Sequence, residues 1–203
     1  VLAVQAGLRP LIDAKPGATS LASREDRLIS PGPGIIAVAG GKLTTYRRMA
    51  ERVVDAILRE FLYAKVGHSF KRTVTAELRL TGPYRELEDP SLAQLSRPYL
   101  AETYGHDAPA VLAAADGTTP LRDGSPFVWG EVDFAVQHEM AVRLGDVLAR
   151  RTRVALTDRE HGRDIAAAVA ARMGTYLGWT TARRADEVAA YGVAAAAYDV
   201  PQE

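Results

Sequence analysis

Cysteine is absent from all 203 residues. That excludes a disulfide-stapled scaffold and any zinc or iron–sulfur centre held by thiolates. Charge of one sign is also missing: 25 Lys and Arg cancel 25 Asp and Glu. A binder that holds nucleic acid by bulk positive charge does not fit that balance. No apolar run reaches the ~18 residues of a membrane-spanning helix. The longest candidates, around Gly34–Gly41 and Ile165–Met173, are short or interrupted. The six-position glycine motif of phosphate-binding loops is absent, as are a Ser-His-Asp ordering and a calcium-loop ligand series. The four histidines (His68, His106, His138, His161) share no metal-ligand spacing with carboxylates. Lysine is scarce at four residues beside abundant Arg and Ala, which reads as a coding bias.

What is present is 47% hydrophobic and 25% charged sequence, enough for a globular core. The chain starts at Val1 inside an apolar stretch, with no Met and no basic leader, so a piece of a longer protein is expected. The fold class expected is α+β. Residues 1–70 read as a mixed region and residues 71–203 as a separate helical domain. Val1–Val4 suits a strand end. Pro10 pushes Arg9 into extended geometry. Ser30–Gly34 reads as a turn, and Ile35–Ala39, bounded by glycines, as a buried strand. The Gly40-Gly41-Lys42-Leu43-Thr44-Thr45 segment then leads into an amphipathic helix of about five turns. Its apolar positions include Met49, Val53, Ile57 and Phe61; Thr44 or Thr45 supplies the cap and Gly67 the stop.

Beyond an extended stretch at Thr75–Leu80, the texture is helical. Asp89-Pro90 can open one helix, Pro98 sits early in another that ends at Gly105, and Asp107 starts a third. Residues 117–128 form a loop. A long helix is expected from about Glu131 to Arg151, with Val132, Val136, Met140, Leu144, Val147 and Leu148 as its stripe. Glu139, Arg143, Asp146 and Arg150 would form a charge ladder along it, a solvated or interface face. Thr157-Asp158-Arg159-Glu160 reads as a capping box for a helix that stops at Gly178, and a last helix covers about Ala182–Tyr198.

The Gly-Gly-Lys corner carries the sharpest chemistry. Two glycines admit a close backbone approach, and the helix behind them directs partial positive charge at an electron-rich ligand. Lys42 adds a mobile cation. The alternative is a plain tight turn with a surface lysine. Arg9 stands in an apolar stretch, where a guanidinium needs an anionic partner. Arg24, in Ser23-Arg24-Glu25-Asp26, also reads as a member of a solvated charge cluster. The basic stretch Arg150-Arg151-Thr152-Arg153 reads as solvated surface.

Three ordered segments, Ala6-Gly7-Leu8-Arg9-Pro10-Leu11, Ser23-Arg24-Glu25 and Gly40 through Glu51, closely resemble the C-terminal part of FAD-dependent glycerol-3-phosphate dehydrogenases. Tyr99–Gly105, His138-Glu139-Met140, Asp146, Leu148 and Arg150-Arg151-Thr152 extend the likeness, which thins after about residue 155. The resemblance implies oxidation of sn-glycerol 3-phosphate to dihydroxyacetone phosphate, with electrons passing from FAD to a quinone. It implies that this chain holds the end of the flavin and substrate domain followed by a helical C-terminal domain. Gly40, Gly41, Lys42, Leu43, Thr44 and Thr45 would lie along FAD, while Arg9, Arg24 and Lys42 would face the substrate. The fragment alone, without the pyrophosphate site, is expected to be inactive. The family implies a cytoplasmic location, peripheral on the inner membrane face. Dimerisation, membrane-surface docking and bracing of the flavin domain are the roles open to the helical part. Two other readings remain: a non-catalytic helical interaction module, and an FAD-linked amine or hydroxy-acid oxidase lacking the phosphate partners.

Overall fold

The computed structural model describes residues 1–7, 26–62, 71, 73–79, 87–114 and 116–200. The chain divides into two compact units. One is Gly7–Leu80; the other is Thr81–Glu203 together with Val1–Ala6. Short strands followed by helices give the α+β architecture that the sequence implies.

In the smaller unit, β1 (Arg27–Gly32) pairs antiparallel with β2 (Ile35–Ala39). The turn is narrower than Ser30–Gly34, because Ser30 to Gly32 already belong to β1. Gly34 takes φ +81°, which suits a glycine in a tight hairpin. The register shifts between Ile29 and Gly32, around Pro31, which has no N–H to give the ladder. β2 is not the buried strand expected: Ile35 and Val38 are about half exposed. A two-stranded ribbon leaves one or both of its faces uncovered. Helix α1 (Tyr46–Ile57) continues as a π-helical segment, Leu58–Leu62. Its inward side carries half-buried Met49 and Val53 and buried Ala56. Residues 75–77 form a turn, with the Glu77 and Leu78 amides donating to the Val74 carbonyl, where an extended stretch was expected. Gly67, His68 and Leu80 lie outside the described residues.

The larger unit is helical. Val1–Val4 makes no strand; the Val4 amide donates to the Tyr198 carbonyl at 3.2 Å. Asp89 opens no helix. Its Oδ1 accepts from the Ser91 amide and hydroxyl, closing a polar turn. Helix α2 (Ser96–Tyr104) has Pro98 in its first turn and ends at Gly105, φ +54°. Helix α3 (Ala108–Val111) follows Asp107. The loop over 117–128 closes through a bridge between Pro120 and Val128 and leads into α4 (Trp129–His138).

The expected 21-residue helix breaks after His138. Met140 is left-handed at φ +58° and 86% exposed. The Ala141 amide turns back to Ala135, and the Arg151 guanidinium covers the Glu139 carbonyl at 3.0 Å. Asp146 Oδ2 accepts from the Val142 and Arg143 amides, which ties the turn after Ala141 to the first residue of the π-helical segment Asp146–Arg151. The charge ladder is correspondingly dismantled. Only Arg150–Asp146 (2.7 Å) survives; Glu139 pairs with Arg151, and Arg143 with Glu187.

Thr157 likewise ends the short α5 (Val154–Thr157) and opens nothing, its hydroxyl donating back to the Arg153 carbonyl. Helix α6 (Ala166–Leu177) starts later and stops at Gly178, φ +65°. Helix α7 (Thr181–Ala195) is capped by Thr180, whose Oγ1 accepts from the Arg183 amide at 3.1 Å. α6 packs on both α4 and α7. The main core gathers Val132, Leu144, Leu148, Val169 and Met173; a second cluster holds Leu92, Leu100, Val111 and Val128.

Gly130 marks where α4 meets α3. A Cβ there would stand 2.1 Å from the Val111 carbonyl oxygen, and backbone cannot yield. Gly130→Ala is expected to destabilise the helical unit by about 2–3 kcal/mol in denaturant unfolding. Gly192→Ala, inside α7 with open space around its Cβ, should stabilise by about 0.5–1 kcal/mol.

Candidate functional site

The Gly-Gly-Lys corner has the strand–turn–helix form that its sequence suggests. Gly40 and Gly41 take φ +73° and +100°, a region that L side chains rarely adopt. Lys42 returns to extended backbone, and Leu43–Thr45 make one 3-10 turn before α1. Thr45 occupies the N-cap position, yet its hydroxyl donates back to the Lys42 carbonyl at 3.0 Å instead of accepting from the helix. Lys42, Leu43, Thr44 and Thr45 are all exposed, and Leu43 reaches 89%. The corner is therefore open on its outer side. On its inner side Gly41 meets Met49, whose methyl would lie 2.5 Å from an added Cβ. Two arginines of α1 brace the corner. Arg47 donates to the Leu78 carbonyl (2.6 Å) and Thr75 hydroxyl (3.3 Å), and Arg52 pairs with Asp26. Arg9 and Arg24 lie outside the described residues, so only Lys42 of the three substrate-facing residues is located.

A second polar centre lies in the helical unit. Glu131, in the first turn of α4, is wholly buried. Its Oε2 accepts from the Val128 amide at 2.8 Å, the return half of a capping box. Its Oε1 accepts from the hydroxyls of Tyr99 (2.7 Å) and Tyr104 (3.1 Å), both on α2. Burial opposes the charged form and outweighs these three donors, so the carboxyl is pushed up to about 7. The two tyrosines are shifted upward as well, first by burial and then by the carboxylate beside them. Sequence reasoning placed Glu131 only at a helix start. The signal for more was its three-residue spacing from Val128; the tyrosine partners, about 30 residues away, left no local trace.

Two further ionic centres are structural. Arg172 of α6 grips Asp133 and Asp116 with 2.5–3.1 Å contacts, tying α6 to α4 and to the loop before it. Buried Glu187 of α7 collects Arg183, Arg143 and the Leu144 amide. His161, buried at φ +53°, contacts the Ala155 carbonyl and Asp199.

Residues 67–184 match the model of a family described as the C-terminal domain of alpha-glycerophosphate oxidase. This chain belongs to that family. It is 35% identical over 202 residues to glycerol-3-phosphate dehydrogenase 2 of Mycobacterium tuberculosis, a match that covers 93% of this chain and 34% of that protein. It is 30% identical over 207 residues to a probable mitochondrial glycerol-3-phosphate dehydrogenase of Dictyostelium discoideum, covering 93% of this chain and 32% of the relative. The chain thus spans about a third of the length of the curated relatives it matches. Within the matched domain, the residues on which the resemblance rests are places where the backbone changes direction. Tyr99 and Tyr104 hold Glu131, Glu139 and Met140 end α4, and Asp146 holds the Val142 amide just ahead of the next segment.

The buried carboxyl is expected to make the stability of the helical unit depend on pH. Because its folded pKa lies above the ordinary value of 4.5, the native state keeps a proton that the unfolded chain releases between about pH 4.5 and 7. Stability should fall as pH rises through that window, by on the order of 3 kcal/mol at full extent. Glu131→Gln, which cannot titrate, should flatten the pH slope of the unfolding midpoint relative to wild type. An unchanged slope would contradict the assignment.

Proposed function

We propose that this chain is the C-terminal third of a flavoenzyme that oxidises sn-glycerol 3-phosphate to dihydroxyacetone phosphate. The observation that carries the reading is the match to glycerol-3-phosphate dehydrogenases along 93% of the chain, joined to an open Gly-Gly-Lys corner at the start of α1. Residues 1–70 would complete the flavin and substrate domain, and residues 71–203 would form the helical domain.

The open outer side of the corner supports that reading. Gly40 and Gly41 turn the chain at positive φ without a Cβ, and the exposed Lys42–Thr45 segment leaves backbone and side chains accessible from outside. Gly40, Gly41, Lys42, Leu43, Thr44 and Thr45 would hold FAD, with the partial positive charge at the start of α1 favouring added negative charge on the ring. Bound there, FAD supplies the two-electron acceptor for the C2 hydrogen of the substrate. Arg9 and Arg24 would grip the phosphate or polarise the C2 oxygen, the planar fork being suited to both. Arg9 cannot serve as the base for the hydroxyl proton, since a guanidinium stays protonated. Lys42 would add a movable cation beside flavin and substrate. The same reading gives a quinone as the onward acceptor and peripheral attachment at the inner membrane face as the working location. No helix among the described residues is long and apolar enough to cross a membrane.

Anaerobic titration of the full-length protein tests this reading. Glycerol 3-phosphate should bleach the flavin, while glycerol, lacking the phosphate, should not. Arg9→Ala should slow bleaching at least tenfold without altering the unfolding midpoint. Bleaching by a non-phosphorylated hydroxy acid or amine, with no response to glycerol phosphate, would overturn it in favour of another flavin-linked oxidase.

A further inference from the structure

The proposed function leaves the basic run Arg150-Arg151-Thr152-Arg153 without a task. Three of its members are occupied. Arg150 pairs with Asp146, Arg151 pairs with Glu139, and buried Thr152 donates its hydroxyl to the Val147 carbonyl at 2.9 Å. Arg153 is different. Its side chain has no ion-pair partner among the described residues. Its backbone is left-handed at φ +59°, ψ +21°, on a residue that is not glycine. Such conformations persist where the surroundings impose them, and they gather at functional sites.

Arg153 stands between two cavities of about 510 Å³ each and, with Tyr99 and Thr152, lines both. In the first, the other arginine is Arg122, already bound to Asp158 (2.6 Å) and Asp164 (3.2 Å). In the second, Arg150, Arg151 and Arg153 face Asp107 and Glu139. Glu139 is answered by Arg151, and Asp107 lies 3.2 Å from His106. The aromatic side chains of Tyr99, Tyr104 and Phe134 also line this cavity. The volume is that of a small-molecule pocket, not of a flat docking surface.

We propose that this second cavity binds a phosphate-bearing small molecule. The phosphoryl group sits on the Arg153 guanidinium, and the carbon portion rests against the aromatic wall of Tyr99, Tyr104 and Phe134. A planar fork of donors without a carboxylate partner is the group suited to a tetrahedral oxyanion. The αL backbone carries Arg153 between the cavities at the start of α5. None of the residues lining this cavity belongs to the Gly40–Thr45 corner, and the site does not rest on the activity proposed above.

Inorganic pyrophosphate is the probe, titrated calorimetrically into the full-length protein at 0.1 M salt. Saturable binding is expected in wild type. Arg153→Gly should weaken it at least tenfold while leaving the unfolding midpoint unchanged or raised, because glycine accepts the left-handed backbone without strain. Arg153→Lys should lose part of the affinity, keeping charge but not the fork. Lys42→Ala, at the flavin corner, should retain the Arg153-dependent binding. The proposal is overturned if wild type shows no saturable binding, if Arg153→Gly binds pyrophosphate as tightly as wild type, or if the loss follows Lys42→Ala instead.

Discussion

The helical domain is organised around one buried carboxyl group. Glu131 brings together the start of α4, through the Val128 amide, and both ends of α2, through Tyr99 and Tyr104. Burying a carboxyl costs free energy, and its raised pKa reports that cost. Removing it would leave three buried donors without an acceptor, each worth about 1–3 kcal/mol. The arrangement therefore holds because the alternatives are worse. It also fixes Tyr99, whose ring packs edge-on against Phe127 and so reaches the main core.

The other buried charges follow the same logic at longer range. Arg172 joins α6 to Asp133 on α4 and to Asp116, and Glu187 joins α7 to the segment after the helix break. Each links elements that hydrophobic packing alone could let slide. Together they give the domain a fixed frame between α4, α6 and α7. Whatever role the domain serves in the flavoenzyme proposed here, that frame is what presents its surface, including the two cavities beside Arg153.

Much of this was legible in the sequence where the signal is local. Gly105 and Gly178 end helices, the last helix begins within a residue of the expected Ala182, and Gly40-Gly41 turns the chain from β2 toward α1. Reading failed where a partner distant in sequence decides the outcome. The apolar stripe from Val132 to Leu148 keeps helical spacing across a break, because Val132, Leu144, Val147 and Leu148 join one core from two separate segments, while Met140 between them is exposed. What ends α4 is Arg151 on the Glu139 carbonyl and Asp146 on two amides, neither of which periodicity records. The buried-strand reading of Ile35–Ala39 failed for a different reason. Apolar composition reports what a segment can bury, not whether a second layer covers it. At the candidate site, the Gly40–Thr45 corner was legible as a backbone shape, while the Glu131 cluster was not, since a carboxyl and two tyrosines about 30 residues apart meet only after folding.

The arrangement of the helical domain depends most directly on the charge state of one side chain. Carboxyl carbon NMR of Glu131, followed across pH in the folded protein, reads that state without reference to unfolding. A midpoint near 7 is the predicted result. A midpoint at or below the ordinary value of 4.5 would show a solvated or ion-paired carboxylate and contradict the central arrangement.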